Sequence, residues 1–379
     1  MIAIINAKIV LENGILDGAT LTIENGKIIA FGNDIFVPEG AQIVDAAGKY
    51  LAPGFVDIHV HGGGGAMFAE EPALAARHFL SHGETTVLPT LYYDYDKEGL
   101  IRAIGRIREA KSSGLANNIS GIYMEGPYMN PRYGASPEKN KWQGEITADK
   151  YMELVDEVKD LVKVWVIAPE REGIEAFVQH VTAKTPGVVI SVGHSEATPD
   201  EVFALKKYGI SLMTHCMNAT GRIKTEPGTR SCGPDEACLM DKDMYAELIC
   251  DSEAIHVHAD MQKFLMAIKG AEKIILISDS FVSSEIPPEN LSHITDLSFD
   301  ASGGLCGSKL TLDKALKNII KHTCCTLVDA VRMTSTNPAR AVGLYDEVGS
   351  IEVGKRANLI ILNNDLSLDR VYLDGEEII

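Results

Sequence analysis

Two histidines, His59 and His61, stand at the end of the short apolar run Phe55–Val60, in the stretch Pro53-Gly54-Phe55-Val56-Asp57-Ile58-His59-Val60-His61-Gly62. Side chains at i and i+2 of a β-strand point to one face, so both imidazoles can reach a single metal ion. Glycines 62 to 65 follow, which lets the chain turn sharply and leave such a site open. Taken alone, a histidine pair of this kind is most simply a buried, hydrogen-bonded part of a core. Four more residues of metal-ligand type end apolar runs in the same way: Glu125, His194, His215 and Asp279. Four imidazoles and two carboxylates make a nitrogen and oxygen donor set suited to zinc or another divalent transition metal.

These residues need a scaffold that brings distant strand ends together. Between about 53 and 345 the sequence alternates apolar strand-like runs with amphipathic helical stretches. The strand candidates are Phe55–His59, Thr86–Thr90, Ile119–Glu125, Val162–Ala168, Val188–His194, Ser211–His215, Ala246–Asp251 and Ile274–Asp279. Helical stretches follow most of them: Leu100–Lys111, Asp149–Val158, Ile174–Ala183, Asp200–Tyr208, Lys263–Ile268, Leu312–Lys321 and Leu327–Met333. Such alternation predicts an α/β fold, a TIM-type (β/α)8 barrel, with an open doubly wound sheet as the alternative. In a barrel all C-terminal strand ends meet on one face, where all six metal-type residues fall.

Residues 1–52 read as β, with Asn13-Gly14, Asp17-Gly18 and Asn25-Gly26 as turn signals. The last residues, 346–379, look alike: Ser350–Val353, Asn358–Leu362 and Val371–Leu373 are strand-like, and Asp374-Gly375 is a further turn. Neither end is long enough for a secure core of its own. Both are expected to join in one small β-sandwich domain, 1–52 plus 346–379, with the barrel 53–345 inserted.

The net charge of −18, from 35 basic and 53 acidic residues, argues against nucleic acid or an anionic membrane as partner. An anionic substrate would need local positive charge against that background. Seven cysteines, Cys216 to Cys325, show no paired spacing and read as reduced thiols of a cytoplasmic protein. No apolar run reaches 18 residues, and the first residues lack the pattern of a signal peptide.

The motifs PGFVDIHVHG, Glu125-Gly126-Pro127, Gly193-His194, Thr214-His215, Asn218-Ala219 and Ser278-Asp279 together resemble the amidohydrolase superfamily. The closing segments Asn337-Pro338-Ala339, Gly349-Ser350-Ile351 and Gly354-Lys355-Arg356-Ala357-Asn358 fit the same superfamily. Glu125-Gly126-Pro127, where many relatives place a metal-bridging lysine, is similar to the branch that deacetylates N-acetyl amino-sugar phosphates. The resemblance implies hydrolysis of the acetamide of N-acetylglucosamine 6-phosphate, with N-acetylgalactosamine 6-phosphate or another amide as alternative substrate. A sugar-phosphate-binding relative without activity is the remaining alternative.

It also implies roles. Glu125, His194 and His215 would hold the metal that activates water. His59 and His61 would hold a second ion bridged by Glu125, and Asp279 would shuttle the proton. One or two divalent ions are expected per subunit, zinc first, with iron, cobalt, manganese or nickel as alternatives. Asn218, Ala219, Arg222 and His256 would contact the substrate, with Arg230 in place of Arg222 as the alternative phosphate reader. Ser308 matches a loop with a structural role, and a homodimer is implied. Two features depart from the pattern. Gly134-Ala135-Ser136 lacks the histidine that polarises the amide carbonyl, leaving Ser136, Lys139, Asn140 and Trp142 as candidate donors. His258 adds a second histidine pair with His256, read as an ordinary histidine beyond the strand end.

Overall fold

Eight parallel strands follow the apolar runs of the sequence: β1 (Phe55–Val60), β2 (Glu84–Tyr92), β3 (Ile122–Glu125), β4 (Val162–Ile167), β5 (Val189–Val192), β6 (Ile210–Met213), β7 (Tyr245–Ile249) and β8 (Ile274–Ile277). The computed structural model describes residues 1–222 and 231–379. Each strand pairs in parallel with its neighbour in chain order. The first and last close the ring beyond the regular ladder. The Asp279 N–H donates to the His59 carbonyl, and the His61 and Gly62 N–H groups both donate to the Ser280 carbonyl, each at 2.9 Å. The architecture is a (β/α)8 barrel, as the alternation predicts.

The strands are buried on both faces, which is why they read as continuous apolar runs rather than alternating ones. Helices cover the outside, and two of them, Pro72–Leu80 and Pro234–Met240, were not anticipated from the sequence. Both begin with proline, whose fixed φ suits a first helical turn. Asp200–Tyr208 is a short helix, Pro199–Ala204, followed by a tighter turn, Lys206–Tyr208.

Both chain ends enter one eight-stranded sheet. Ile2–Leu11, Gly14–Glu24 and Lys27–Gly32 form a meander from the N-terminus. Leu359–Leu362, Leu368–Leu373 and Glu376–Glu377 form one from the C-terminus, and Tyr50–Pro53 joins them. Period-two alternation explains how this sheet serves two cores. Ile9, Leu51, Leu359, Ile361 and Tyr372 pack in the core of the terminal sheet. Their neighbours Val10, Ala52, Ile360, Leu362 and Val371 pack in the core of the barrel. A strand buried on both faces in this way docks the small unit without a separate interface motif.

Three of the four turn signals resolve into two kinds, while at Asn13-Gly14 the loop is Glu12-Asn13 and Gly14 already begins the next strand. Asn25-Gly26 (φ 51° and 75°) and Asp374-Gly375 (φ 50° and 77°) have both central residues in the left-handed region, the conformation a two-residue hairpin requires. Asp17-Gly18 is no turn: it lies inside Gly14–Glu24, next to irregular pairing with the first strand, and acts as a bulge. Ser350–Val353 forms no strand either. The Ser350 hydroxyl bonds Glu352 (2.6 Å) and accepts from the Lys355 ammonium (2.6 Å), so side chains engage the segment instead of a neighbouring strand.

Asn337, in the Asn337-Pro338-Ala339 motif, ties the closing helix to the barrel. Its buried amide donates to the Ala271 and Ile274 carbonyls, each at 2.7 Å, at the start of β8. Asn337→Ala strands both carbonyls in a dry place. It should cost about 1–3 kcal/mol of stability, read as a lowered Tm of the metal-free protein; an unchanged Tm would remove Asn337 from this role.

Candidate active site

The structure brings all six metal-type residues to one end of the barrel, but not all within strands. His59 and Glu125 are strand residues and His61 follows β1 directly, whereas His194, His215 and Asp279 lie two residues beyond the ends of β5, β6 and β8. All three of these adopt left-handed backbone, with φ of 45°, 26° and 46°. The expected strand ends at those positions are therefore too long. Each chain breaks from the sheet, and the sharp turn directs the side chain over the barrel mouth. Left-handed backbone is strained for residues with a Cβ and persists where surrounding contacts enforce it. Here they do. The His194 carbonyl accepts from the Asn130 N–H (2.9 Å), and its ring lies so close to Gly134 that a Cβ there would come within 2.8 Å of Nδ1. The Asp279 carbonyl accepts from the Ser308 N–H (2.8 Å), and a Cβ on Gly307 would meet that carbonyl at 2.5 Å. Ser308 itself donates from its hydroxyl to the Ser278 carbonyl (2.5 Å), a bracing role for β8.

Glu125 is the centre of the arrangement. Its Oε1 lies 2.8 Å from His194 Nε2 and 3.2 Å from His215 Nε2. Its Oε2 lies 3.1 Å from His61 Nε2 and 3.7 Å from His59 Nε2. Asp279 Oδ1 completes the far side, 3.2 Å from His61 Nε2 and 3.6 Å from His59 Nε2. Two groups result, Glu125 with His194 and His215, and Asp279 with His59 and His61, and either could hold a metal ion. The residues fit a divalent ion on their own geometry. His59 Nε2 is a buried nitrogen with no hydrogen-bond partner among the described residues. His194 and His215 bring two Nε2 atoms within 3.0 Å of each other, close to the edge of a coordination shell with bonds of about 2.0–2.2 Å. Asp279, expected only as a proton shuttle, is thus also placed as a possible ligand.

The electrostatics say the same. Burial opposes the charge on Glu125, but the His59 charge and hydrogen bonds from His194 and His215 hold its carboxyl well below the usual range. Burial likewise opposes the charge on Asp279, and His59 and His61 override it. Burial would lower His59 and His61, yet the facing carboxylates win: His61 is raised to about 9 and His59 is held well above its ordinary value. His215 is raised in the same way, while burial prevails at His194 and lowers it. Protons on these imidazoles are what a bound cation must displace.

A pocket of about 410 Å³ opens over this cluster, lined by His61, Glu125, His194, His215 and Asp279 together with Asn218 and Ala219. Its lining also includes Tyr92 and Tyr93, at and just after the end of β2, whose rings pack edge-on against His61 and His194. Ser136 and Lys139 also line it. Asn140 and Trp142 do not: the Asn140 side chain accepts from the Trp142 N–H (2.7 Å), and the Trp142 indole donates to the Tyr95 carbonyl (2.8 Å). Arg222 and His256 line an adjoining cavity of about 510 Å³ rather than the metal pocket. Arg222 pairs with Glu236. His256 is held between Asp251 (Nδ1, 3.0 Å) and the Gly307 carbonyl (Nε2, 3.1 Å), and its own carbonyl accepts from the Asn218 amide (3.3 Å). Arg230 lies outside the described residues. His258 is exposed beside Asp260 and lines the same adjoining cavity as Arg222 and His256, away from the metal pocket.

The seven cysteines are free thiols. No helix among the described residues is long and apolar enough to cross a membrane.

Known proteins match along the whole chain. The amidohydrolase family profile covers residues 50–378. N-acetylgalactosamine-6-phosphate deacetylase of Escherichia coli O157:H7 is 30% identical over 97% of this chain and 97% of its own length. N-acetylglucosamine-6-phosphate deacetylase of Bacillus subtilis is 29% identical over 94% and 92%. The crystal structure of N-acetylglucosamine-6-phosphate deacetylase from Pasteurella multocida superposes with a TM-score of 0.86 at 27% identity, covering 99% of both chains. With both its fold and the length of its sequence accounted for, the chain belongs to the amidohydrolase family.

Proposed function

We propose that the protein hydrolyses the acetamide of N-acetylglucosamine 6-phosphate, giving glucosamine 6-phosphate and acetate. The observation that carries this is Glu125 joining four buried imidazoles beside Asp279, in a chain that deacetylases match from end to end. A second reading, the same chemistry on N-acetylgalactosamine 6-phosphate, is favoured by the relative of that name at 30% identity.

We assign His59, His61, Glu125, His194 and His215 as ligands of one or two divalent ions, zinc first. When bound, such an ion lowers the pKa of a coordinated water to about 7 and polarises a carbonyl. Asp279 takes the proton of the attacking water and returns it to the nitrogen as the C–N bond breaks, since an amine leaves badly without one. Of the candidate carbonyl donors Ser136, Lys139, Asn140 and Trp142, Ser136 and Lys139 are the two that line the pocket wall. Lys139 is also the one lysine or arginine among the described lining residues. Asn218, Ala219, Arg222 and His256 are assigned to the sugar phosphate, with the His256 Nε2–H exchanging the Gly307 carbonyl for a phosphate oxygen. Asn218 links the metal pocket to His256, which supports a substrate lying across that boundary. The separate apolar cores support dividing the chain into a catalytic barrel, 53–345, and a terminal unit, 1–52 plus 346–379. Free thiols support a cytoplasmic enzyme; the family resemblance supports a homodimer.

The test is acetate release from the two N-acetylhexosamine 6-phosphates and from unphosphorylated N-acetylglucosamine, with zinc supplied. Charge-assisted contacts of about 1.5–3 kcal/mol predict kcat/KM roughly ten- to hundred-fold higher for the phosphorylated sugar. No acetate from either phosphate defeats the proposal; a clear preference for the galactosamine compound selects the second reading.

A further inference from the structure

We propose that Glu247 is a positioning residue that aligns both ligand groups of the metal centre. The inference rests on the metal-centre reading above. Glu247 stands in the middle of β7 between Ala246 and Leu248, and all three are completely buried. A carboxylate inside an apolar strand costs free energy unless donors face it. Two do, and both belong to metal-type residues. Glu247 Oε2 accepts from the His59 ring Nδ1–H at 3.1 Å and from the His215 backbone N–H at 3.2 Å. The other oxygen, Oε1, has no partner among the described residues, so these two contacts are the ones that hold the side chain.

Each contact does something specific. An ionised carboxylate only accepts, so His59 must carry its ring hydrogen on Nδ1. That leaves Nε2 facing Glu125 and Asp279, at 3.7 and 3.6 Å, as the ring nitrogen whose proton a cation would displace. A ring donating to a carboxylate is also a more basic ligand. The second contact pins the His215 N–H at the residue whose backbone turns left-handed (φ 26°) and so carries its ring over the barrel. One oxygen atom therefore ties a histidine of one ligand group to a histidine of the other. A side chain present only to fill the strand would not need this oxygen.

Chelator-competition titrations with zinc on the unaltered protein, Glu247→Gln and Glu247→Leu decide the matter, with Tm of each metal-free form and kcat and KM at saturating zinc. The glutamine variant keeps the shape and loses the charge, and the leucine variant loses both acceptors. We expect Glu247→Gln to fold with a Tm near that of the parent and to bind zinc roughly 10- to 100-fold more weakly. Glu247→Leu should be weaker still, with KM little changed once zinc saturates. Parental zinc affinity in Glu247→Gln overturns the assignment, whether or not the leucine variant folds. If the unaltered protein binds no zinc or other divalent ion, the metal-centre reading fails and this assignment falls with it. The two failures are distinguishable by which protein shows them.

Discussion

Asp279→Asn should lower kcat by on the order of 10²–10⁴ while the protein keeps its fold and most of its substrate affinity. The substitution keeps the shape and hydrogen-bonding size of the side chain but removes its ability to take a proton and give it back. The cluster's own second carboxylate is not free to stand in. Glu125, the other carboxylate in the cluster, has both oxygens turned toward histidines. The main chain of Asp279 is fixed independently of its carboxyl, through the His59 carbonyl and the Ser308 N–H, so the variant should not disturb the barrel seam. Because Oδ1 also faces His59 and His61, metal bound at that pair is expected to loosen, whereas metal at Glu125, His194 and His215 should stay. kcat, bound metal and substrate binding measured on one preparation test this. Near-normal turnover in Asp279→Asn would mean that another group moves the proton.

The second large effect is expected at the other pair. His194→Ala or His215→Ala removes one of the two imidazoles that face Glu125 Oε1. Either should abolish tight metal binding and turnover together, beyond the roughly 10- to 100-fold loss typical of a merely supporting residue. Replacing His59 and His61 together should empty only the group that faces Oε2 and leave measurable metal behind. Metal content by elemental analysis separates the cases. Full activity without metal in His194→Ala sinks the ligand assignment. Loss of all metal in the His59 and His61 double variant would instead show the two groups to be one inseparable site.

Much of this site could be read before the fold was known, for a physical reason. Parallel strands in a barrel are buried on both faces, so each appears as an uninterrupted apolar run, and a polar residue at its end stands out. His59, Glu125, His194, His215 and Asp279 are visible by that contrast. What the pattern cannot express is backbone handedness. His and Asp tolerate left-handed φ more often than most residues, but their type does not say where it occurs; at His194 and Asp279 neighbours such as Asn130 and the close-packed Gly307 impose it from elsewhere in the chain. Glu247 leaves a fainter signal, a lone carboxylate within an apolar strand rather than at its end. The donor set near the substrate was the least legible. Arg222 and His256 fall in the adjoining cavity, and only the fold could show that Asp251 and the Gly307 carbonyl already occupy both nitrogens of His256.

The seam between β1 and β8 has a consequence for how the enzyme is made. Asp57 accepts from the Ser278 N–H (3.4 Å) across 221 residues of chain, and His59 and Asp279 are bonded beside it. At roughly 5–20 residues per second of synthesis, a ribosome needs on the order of 10–40 s to add the intervening chain. Until that chain is complete, His59 and His61 stand without Asp279, the carboxylate that forms one ligand group with them. A metal captured then would meet an incomplete set of ligands, and would exchange more freely than in the finished site. Selection among the cell's divalent ions therefore belongs to the finished barrel, after the last strand has closed it.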